Sequence, residues 1–146
     1  MREALFSILG DVSGLRVLDL FAGSGALGIE ALSRGASEAV FVDRDHRAIS
    51  AIRRNLNAVG AEAAVVQGQA TTFIGQPQRA YDLVFVDPPY DSAHRLAESL
   101  SERLPALLTD DARIVTESDK RQPLLLDLPL ELERSYGDTR IAVHHA

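Results

Sequence analysis

Val17-Leu18-Asp19-Leu20-Phe21-Ala22-Gly23-Ser24-Gly25-Ala26-Leu27-Gly28 is the stretch on which the reading of this chain turns. Val17 to Leu20 is a short apolar run of the kind that fills a buried strand. Gly23, Gly25 and Gly28 follow at the spacing G-x-G-x-x-G. A helical pattern then begins, with Leu27, Ala31 and Leu32 apolar and Gly35 placed to stop it. A strand, a tight Gly-rich turn and a helix form the first half of a nucleotide-binding β-α-β unit. A turn without Cβ atoms lets a ligand approach the backbone closely. The pattern leaves the ligand open: NAD, FAD, S-adenosylmethionine or a packing turn with no ligand all satisfy it.

Working outward, the 146 residues suit one domain, and 46% hydrophobic content supports a sizeable core. Lysine and arginine number 15 against 21 acidic residues, a net charge of −6. That balance argues against bulk nucleic-acid binding but leaves room for a local basic patch. No apolar run is long enough for a transmembrane helix and no signal peptide is visible, so a cytoplasmic protein is expected. The absence of cysteine excludes disulfides, thiolate metal sites and cysteine nucleophiles. No metal site is expected.

Before the glycine turn, Arg2 to Leu9 is helical in pattern, with Leu5, Ile8 and Leu9 on one face and no capping residue ahead of it. An upstream segment is therefore expected to be missing. After the turn, the spacing predicts a helix over Gly25 to Arg34 and a strand over Glu38 to Asp43. Asp45 caps a helix carrying Ile49, Ile52, Leu56 and Val59, which Gly60 ends. A short strand over Ala63 to Val66 and one or two helical turns over Thr71 to Ile74 come next. Tyr81 to Val86 is a strongly apolar strand; Leu96, Leu100 and Leu104 mark a helix; Ala112 to Thr116 is a fifth strand. Leu130 to Tyr136 and Thr139 to His144, joined by Gly137-Asp138, read as an antiparallel hairpin. Alternating elements imply a parallel sheet with helices on both faces. The closing hairpin sets it apart from a dinucleotide-binding domain, which stays parallel to its sixth strand.

Ligands of open α/β sheets bind outside the carboxyl ends of the strands. Asp19, Asp43 and Asp87 all fall at or near such ends. Asp43, twenty residues after Gly23, suits ribose hydroxyls, or else caps the next segment. Asp19 suits loop amides or a ligand ammonium. Gln69, in Gly68-Gln69-Ala70 after the third strand, both donates and accepts, as an adenine edge requires. Asp87-Pro88-Pro89-Tyr90 is the sharpest signal. Two prolines stop the strand and leave the Pro88 carbonyl free, and Asp87 adds a second acceptor. Two adjacent acceptors suit an exocyclic nucleobase amine, whose lone pair they aim at an electrophilic methyl, while Tyr90 stacks on the base. His46 and His94 at helix starts, and Arg44, Arg47, Arg53 and Arg54, read as solvated surface.

With these residues in view, the chain resembles class I S-adenosylmethionine-dependent methyltransferases with a [D/N/S]-P-P-[Y/F/W] motif. Arg2 to Phe6, Asp19 to Ala36 and Asp87 to Tyr90 resemble the RsmD-type 16S rRNA (guanine-N2)-methyltransferase family in particular. The resemblance implies a Rossmann-like, seven-stranded, mostly parallel sheet whose last strand inserts antiparallel, forming a single catalytic domain over residues 1–146. It implies that Asp19, Phe21, Ala22, Gly23, Ser24, Gly25, Asp43, Arg44, Gln69 and Ala70 surround S-adenosylmethionine, and that Asp87, Pro88, Pro89 and Tyr90 hold the target guanine. It further implies a monomer acting on 16S rRNA in the 30S subunit or its assembly intermediate. Related sequences often have an acidic residue where Gln69 stands, and a basic segment ahead of the Arg2 helix. The rival readings are adenine-N6 methylation of DNA or RNA, and a NAD-type or non-catalytic nucleotide-binding module.

Overall fold

A computed structural model describes residues 1–146. The elements are α1 (Arg2–Leu9), β1 (Arg16–Leu20), α2 (Ala26–Ser33), β2 (Glu38–Asp43), α3 (His46–Val59), β3 (Ala64–Gln67), α4 (Ala70–Ile74), β4 (Tyr81–Val86), α5 (Ala93–Arg103), β5 (Leu108–Asp119), β6 (Leu130–Tyr136) and β7 (Thr139–His145). One seven-stranded sheet runs in the order β3-β2-β1-β4-β5-β7-β6. The first five strands in that order pair in parallel, and β7 lies antiparallel between β5 and β6. The parallel core and closing hairpin are what the sequence pattern predicts, and the insertion of the last strand antiparallel between β5 and β6 is what the family resemblance implies. No helix is long and apolar enough to cross a membrane.

The strands nearest the centre are nearly continuous apolar runs because both faces are covered. Val17, Phe41, Leu83 and Phe85 pack with α1, α2 and α3 on one face. Leu18, Leu20, Val42, Val84 and Val86 pack with α4 and α5 on the other. In α1 the buried side chains are Leu5, Phe6 and Leu9. Phe6, not Ile8, takes the third inward position and packs on Phe85, ring centroids 5.9 Å apart. The helix therefore presents a face rotated from the expected one, and Ile8 packs at the margin.

Asp45 caps α3 by accepting the Arg47 N–H at 2.9 Å, and Gly60 ends it in a left-handed conformation, as its sequence predicts. Leu104 falls just beyond α5, in a 3-10 turn with Pro105, which cannot continue an α-helical ladder. The largest departure is β5. Of the expected Ala112 to Thr116, residues Arg113 to Thr116 are flanked by β4 and β7 together. Beyond it, Glu117, Ser118 and Asp119 pair only with β7. The partner strand, not local apolarity, carries β5 past Thr116. β6 is exposed along most of its length and carries Glu131, Glu133 and Arg134, charges that discourage pairing with another chain.

Candidate active site

The chain reverses its strand order between β1 and β4, the place where open α/β sheets bind ligands. Three clefts meet there. The first, about 590 Å³, is lined by Phe21, Gly23, Asp43, Arg44, Gln69, Ala70 and Asp87 to Pro89. The second, about 390 Å³, lies over Asp19, Phe21 to Ser24, Asp87 and Glu117. The third, about 200 Å³, lies under Tyr90, between Asp87 and Pro88 on one side and Glu117 to Asp119 on the other. Asp87 borders all three. Every site residue proposed from sequence lines at least one cleft except Gly25.

Gly25 instead packs inward. A Cβ there would stand 3.3 Å from both Ile52 and Phe41, and its φ of +81° is one that side chains other than glycine's rarely adopt. The neighbouring Phe21 has a φ of +55° without being glycine. Such a conformation costs about 1–2 kcal/mol, so surrounding structure must enforce it. The enforcement is visible. Ala22 N–H donates to the Val42 carbonyl at 3.0 Å, Gly25 N–H to the Ala22 carbonyl at 2.8 Å, and Asn55 Nδ2 to the Ser24 carbonyl at 2.9 Å.

Two carboxyl groups complete this loop. Asp43 Oδ2 accepts the Gly23 N–H at 2.9 Å, and its Oδ1 accepts the Asp45 N–H at 2.9 Å. Asp43 thus serves loop and turn together, with a lone pair left on each oxygen for a ligand hydroxyl. Asp19 is 3% exposed, and its Oδ2 accepts the Gly28 N–H at 3.0 Å. Burial pushes its carboxyl up to about 8, against the Gly28 N–H, which favours the charged form; nearby Asp87 and Asp43 add to the rise.

At the end of β4, Pro89 carbonyl accepts the Ser92 N–H at 2.9 Å, whereas the Pro88 carbonyl has no partner within the chain. It is the free acceptor that the two prolines lead one to expect. Tyr90 is 56% exposed over the third cleft. Asp87 opens to the clefts, yet desolvation together with the adjacent Glu117 carboxyl raises it to about 7. Burial raises Glu117 as well, opposed by its hydrogen bond with Asp87 and by the Met1 amino group. The two carboxyls behave as one coupled pair.

Glu117 is absent from the sequence-derived set, and so are Ser92, Arg95 and Leu96, which line the first cleft from the start of α5. A faint signal for Glu117 was present: it is the acidic residue that follows the apolar run of a parallel strand. The α5 residues carry no comparable signal, because their place in the cleft depends on how the Pro-Pro turn aims the helix. His46, His94, Arg44, Arg47, Arg53 and Arg54 are exposed, as expected of solvated surface.

The comparisons agree with this architecture. A family model described as Conserved hypothetical protein 95 matches residues 1–145. Ribosomal RNA small subunit methyltransferase D of Escherichia coli (strain K12) is 39% identical over 123 residues, which are 82% of this chain and 61% of that protein. YlbH of Bacillus subtilis (strain 168) is 35% identical over 162 residues, 99% of this chain and 83% of its own length. Among solved structures, a conserved hypothetical protein of Streptococcus pyogenes superposes with a TM-score of 0.89 at 36% identity, covering 99% of this chain and 94% of the other.

Proposed function

Because this chain belongs to the Conserved hypothetical protein 95 family, the RsmD family, we propose that it is an rRNA methyltransferase that uses S-adenosylmethionine. Its acceptor is the exocyclic N2 amine of a guanine in 16S rRNA, reached in the cytoplasm within the 30S subunit or its assembly intermediate. The observation that carries this reading is the meeting of three clefts at Asp87, beside the free Pro88 carbonyl. An amine held at that point shares two of the clefts with Gly23 of the glycine loop.

The residues fit the cofactor's charge. Asp19, Asp43, Asp87 and Glu117 gather at one sheet edge, and none forms an ion pair within the chain. A sulfonium and an amino group bring positive charge to carboxyls that no ion pair within the chain neutralises. A dinucleotide would bring phosphates against the same carboxyls. The Gly28 amide in the first turn of α2, where a dinucleotide phosphate would seek donors, is already held by Asp19. Both facts disfavour the NAD-type reading.

Asp43 holds the ribose hydroxyls, and Gln69 and Ala70 lie at the adenine in the first cleft. Asp19 and the loop from Phe21 to Ser24 surround the methionine part in the second. When bound, S-adenosylmethionine supplies an electrophilic methyl on sulfur. Asp87 and the Pro88 carbonyl accept the two N–H groups of the target amine and aim its lone pair, with Tyr90 stacked on the base. The amine turns acidic once alkylated, and the Asp87 carboxylate is placed to take the proton it then loses.

The test has two stages. Calorimetric titration with S-adenosylmethionine and, separately, NAD checks the cofactor; saturable binding of NAD alone would overturn the methyltransferase reading. Transfer of labelled methyl to 30S subunits lacking the modification, followed by digestion to nucleosides, checks the acceptor. N2-methylguanosine is the expected product, and N6-methyladenosine would favour the adenine reading.

A further inference from the structure

Asp87 and Glu117 reach the site from neighbouring parallel strands. Val86 of β4 stands opposite Thr116 of β5, so Asp87 leaves the end of β4 beside Glu117, which β7 alone continues to pair. Asp87 borders all three clefts, whereas Glu117 borders the second and third and not the first. Glu117 therefore stands where the loop-side cleft meets the cleft under Tyr90, on the far side of Asp87 from the pocket assigned to adenosine. Its carboxyl has no ion-pair partner. Desolvation and the Asp87 carboxyl keep the pair prone to retain one proton near neutrality, a position that a hydrogen-bond donor of the substrate can fill instead.

Two purines differ in what they would offer to this pair. The guanine edge presents its N2 amine next to a ring N1–H, two donor groups in a row. The adenine edge presents its N6 amine next to a bare ring N1, a donor group beside an acceptor. An ionised carboxylate only accepts, whereas a carboxamide both accepts and donates.

We propose that Glu117 selects guanine over adenine: its carboxylate accepts the ring N1–H of a guanine whose exocyclic amine is held by Asp87 and the Pro88 carbonyl. The inference rests on the methyl-transfer reading above and adds base selection to it. An adenine in the same pose sets its N1 lone pair against the ionised Glu117 carboxylate, and finds a donor only where the pair keeps its proton, which rising pH removes.

The test uses two variants, Glu117→Gln and Glu117→Ala, and two kinds of 30S subunit lacking the modification. One carries the natural target guanine and the other carries adenine at that nucleotide. The wild-type chain is expected to methylate the first and not the second. Glu117→Ala should lower kcat/KM on guanine roughly 10- to 100-fold, the range for loss of one good base-edge contact. Affinity for S-adenosylmethionine should fall less than the guanine activity does, since Glu117 borders the methionine side of the second cleft but not the first cleft, where the adenosine is placed. Glu117→Gln keeps an acceptor and gains a donor for adenine N1. It should retain part of the guanine activity and shift the guanine-to-adenine ratio toward adenine by roughly tenfold or more. The thermal midpoint of each variant reports folding; if Glu117→Ala unfolds, the isosteric Glu117→Gln carries the test alone. An unchanged ratio in Glu117→Gln overturns the inference while leaving the methyltransferase reading intact. So does a loss confined to cofactor affinity, which would assign Glu117 to the methionine side. Failure of the wild-type chain to form N2-methylguanosine on either particle overturns both.

Discussion

Replacing Gly28 with alanine tests why the third glycine of the motif is there. Gly28 lies inside α2 with ordinary helical φ, so conformational freedom is not the reason. Space is. A Cβ at Gly28 would overlap Phe41 Cε1, come within 2.7 Å of Phe41 Cζ, and stand 3.2 Å from Asp19 Oδ2. Phe41 is fully buried between β2 and the helices, so its ring has nowhere to turn. Overpacking of this kind costs roughly 1–3 kcal/mol. Against it, alanine gains about 1 kcal/mol over glycine in a helix interior. The methyl also crowds the Asp19 oxygen that accepts the Gly28 N–H, which adds to the loss. The expected net is a destabilisation of about 1–2 kcal/mol, a fall in thermal midpoint of about 2–8 °C for a chain this size.

The sign of the effect gives the sharper test. Phe41→Leu removes both ring atoms that the new methyl strikes. In that background the ring clash vanishes while the helix preference and the 3.2 Å approach to Asp19 Oδ2 remain, so Gly28→Ala should range from neutral to a stabilisation of up to about 1 kcal/mol. Urea unfolding of the four proteins, wild type, each single variant and the double, gives the coupling directly. If Gly28→Ala destabilises the Phe41→Leu protein as much as it destabilises the wild type, close helix–strand packing is not what Gly28 provides, and the reasoning fails.

Other substitutions probe the remaining site residues. Asp19→Asn should change the pH dependence of stability. The folded chain keeps the Asp19 proton up to about 8 while the unfolded chain loses it near 3.8, so wild-type stability declines between those values as pH rises. Relative to wild type, the asparagine variant should gain at most about 1.4 kcal/mol per pH unit in that window; parallel urea midpoints at acid and mildly alkaline pH would contradict this. Asp43→Ala removes the acceptor of the Gly23 and Asp45 amides together with the proposed ribose contact. Calorimetry should show roughly 10- to 100-fold weaker S-adenosylmethionine binding, and an unchanged Kd would remove Asp43 from the cofactor site. Tyr90→Ala should raise KM for 30S subunits by roughly 5- to 100-fold, from lost stacking of about 1–3 kcal/mol, without altering cofactor affinity. An effect on cofactor binding instead would place the Tyr90 ring over the wrong cleft.

How much of this was legible in the sequence depends on where each signal resides. The central parallel strands announce themselves because burial on both faces demands unbroken apolar runs such as Val17-Leu18 and Leu83 to Val86. Caps are equally local: Asp45 and Gly60 bracket α3 through contacts within a few residues. The glycine loop and Asp87 to Tyr90 were legible as motifs because turn geometry is encoded in the turn itself. Sequence spacing could not distinguish the three glycines. Gly23 lines the clefts, Gly25 packs inward with a left-handed φ, and Gly28 yields its side-chain space to a phenylalanine on another strand. Phe6 in place of Ile8 is a similar case, since the face that α1 buries is settled by Phe85.

Glu117 shows most clearly what lies between motif and site. Its local signal is weak: Val115-Thr116-Glu117-Ser118 reads as a strand running out into polar residues. Its meaning comes from β4 standing in register beside β5, which sets a second carboxyl against Asp87. Asp19, Asp43, Asp87 and Glu117 so placed would be a fault in a purely structural edge, because their mutual repulsion and desolvation weaken the fold. Their tolerance makes sense if ligands restore the balance, cations on the loop side and amine or imine N–H donors on the other. With Glu117 selecting the base as proposed, the motif names the chemistry, while the register across β4 and β5 decides which base can present itself to it.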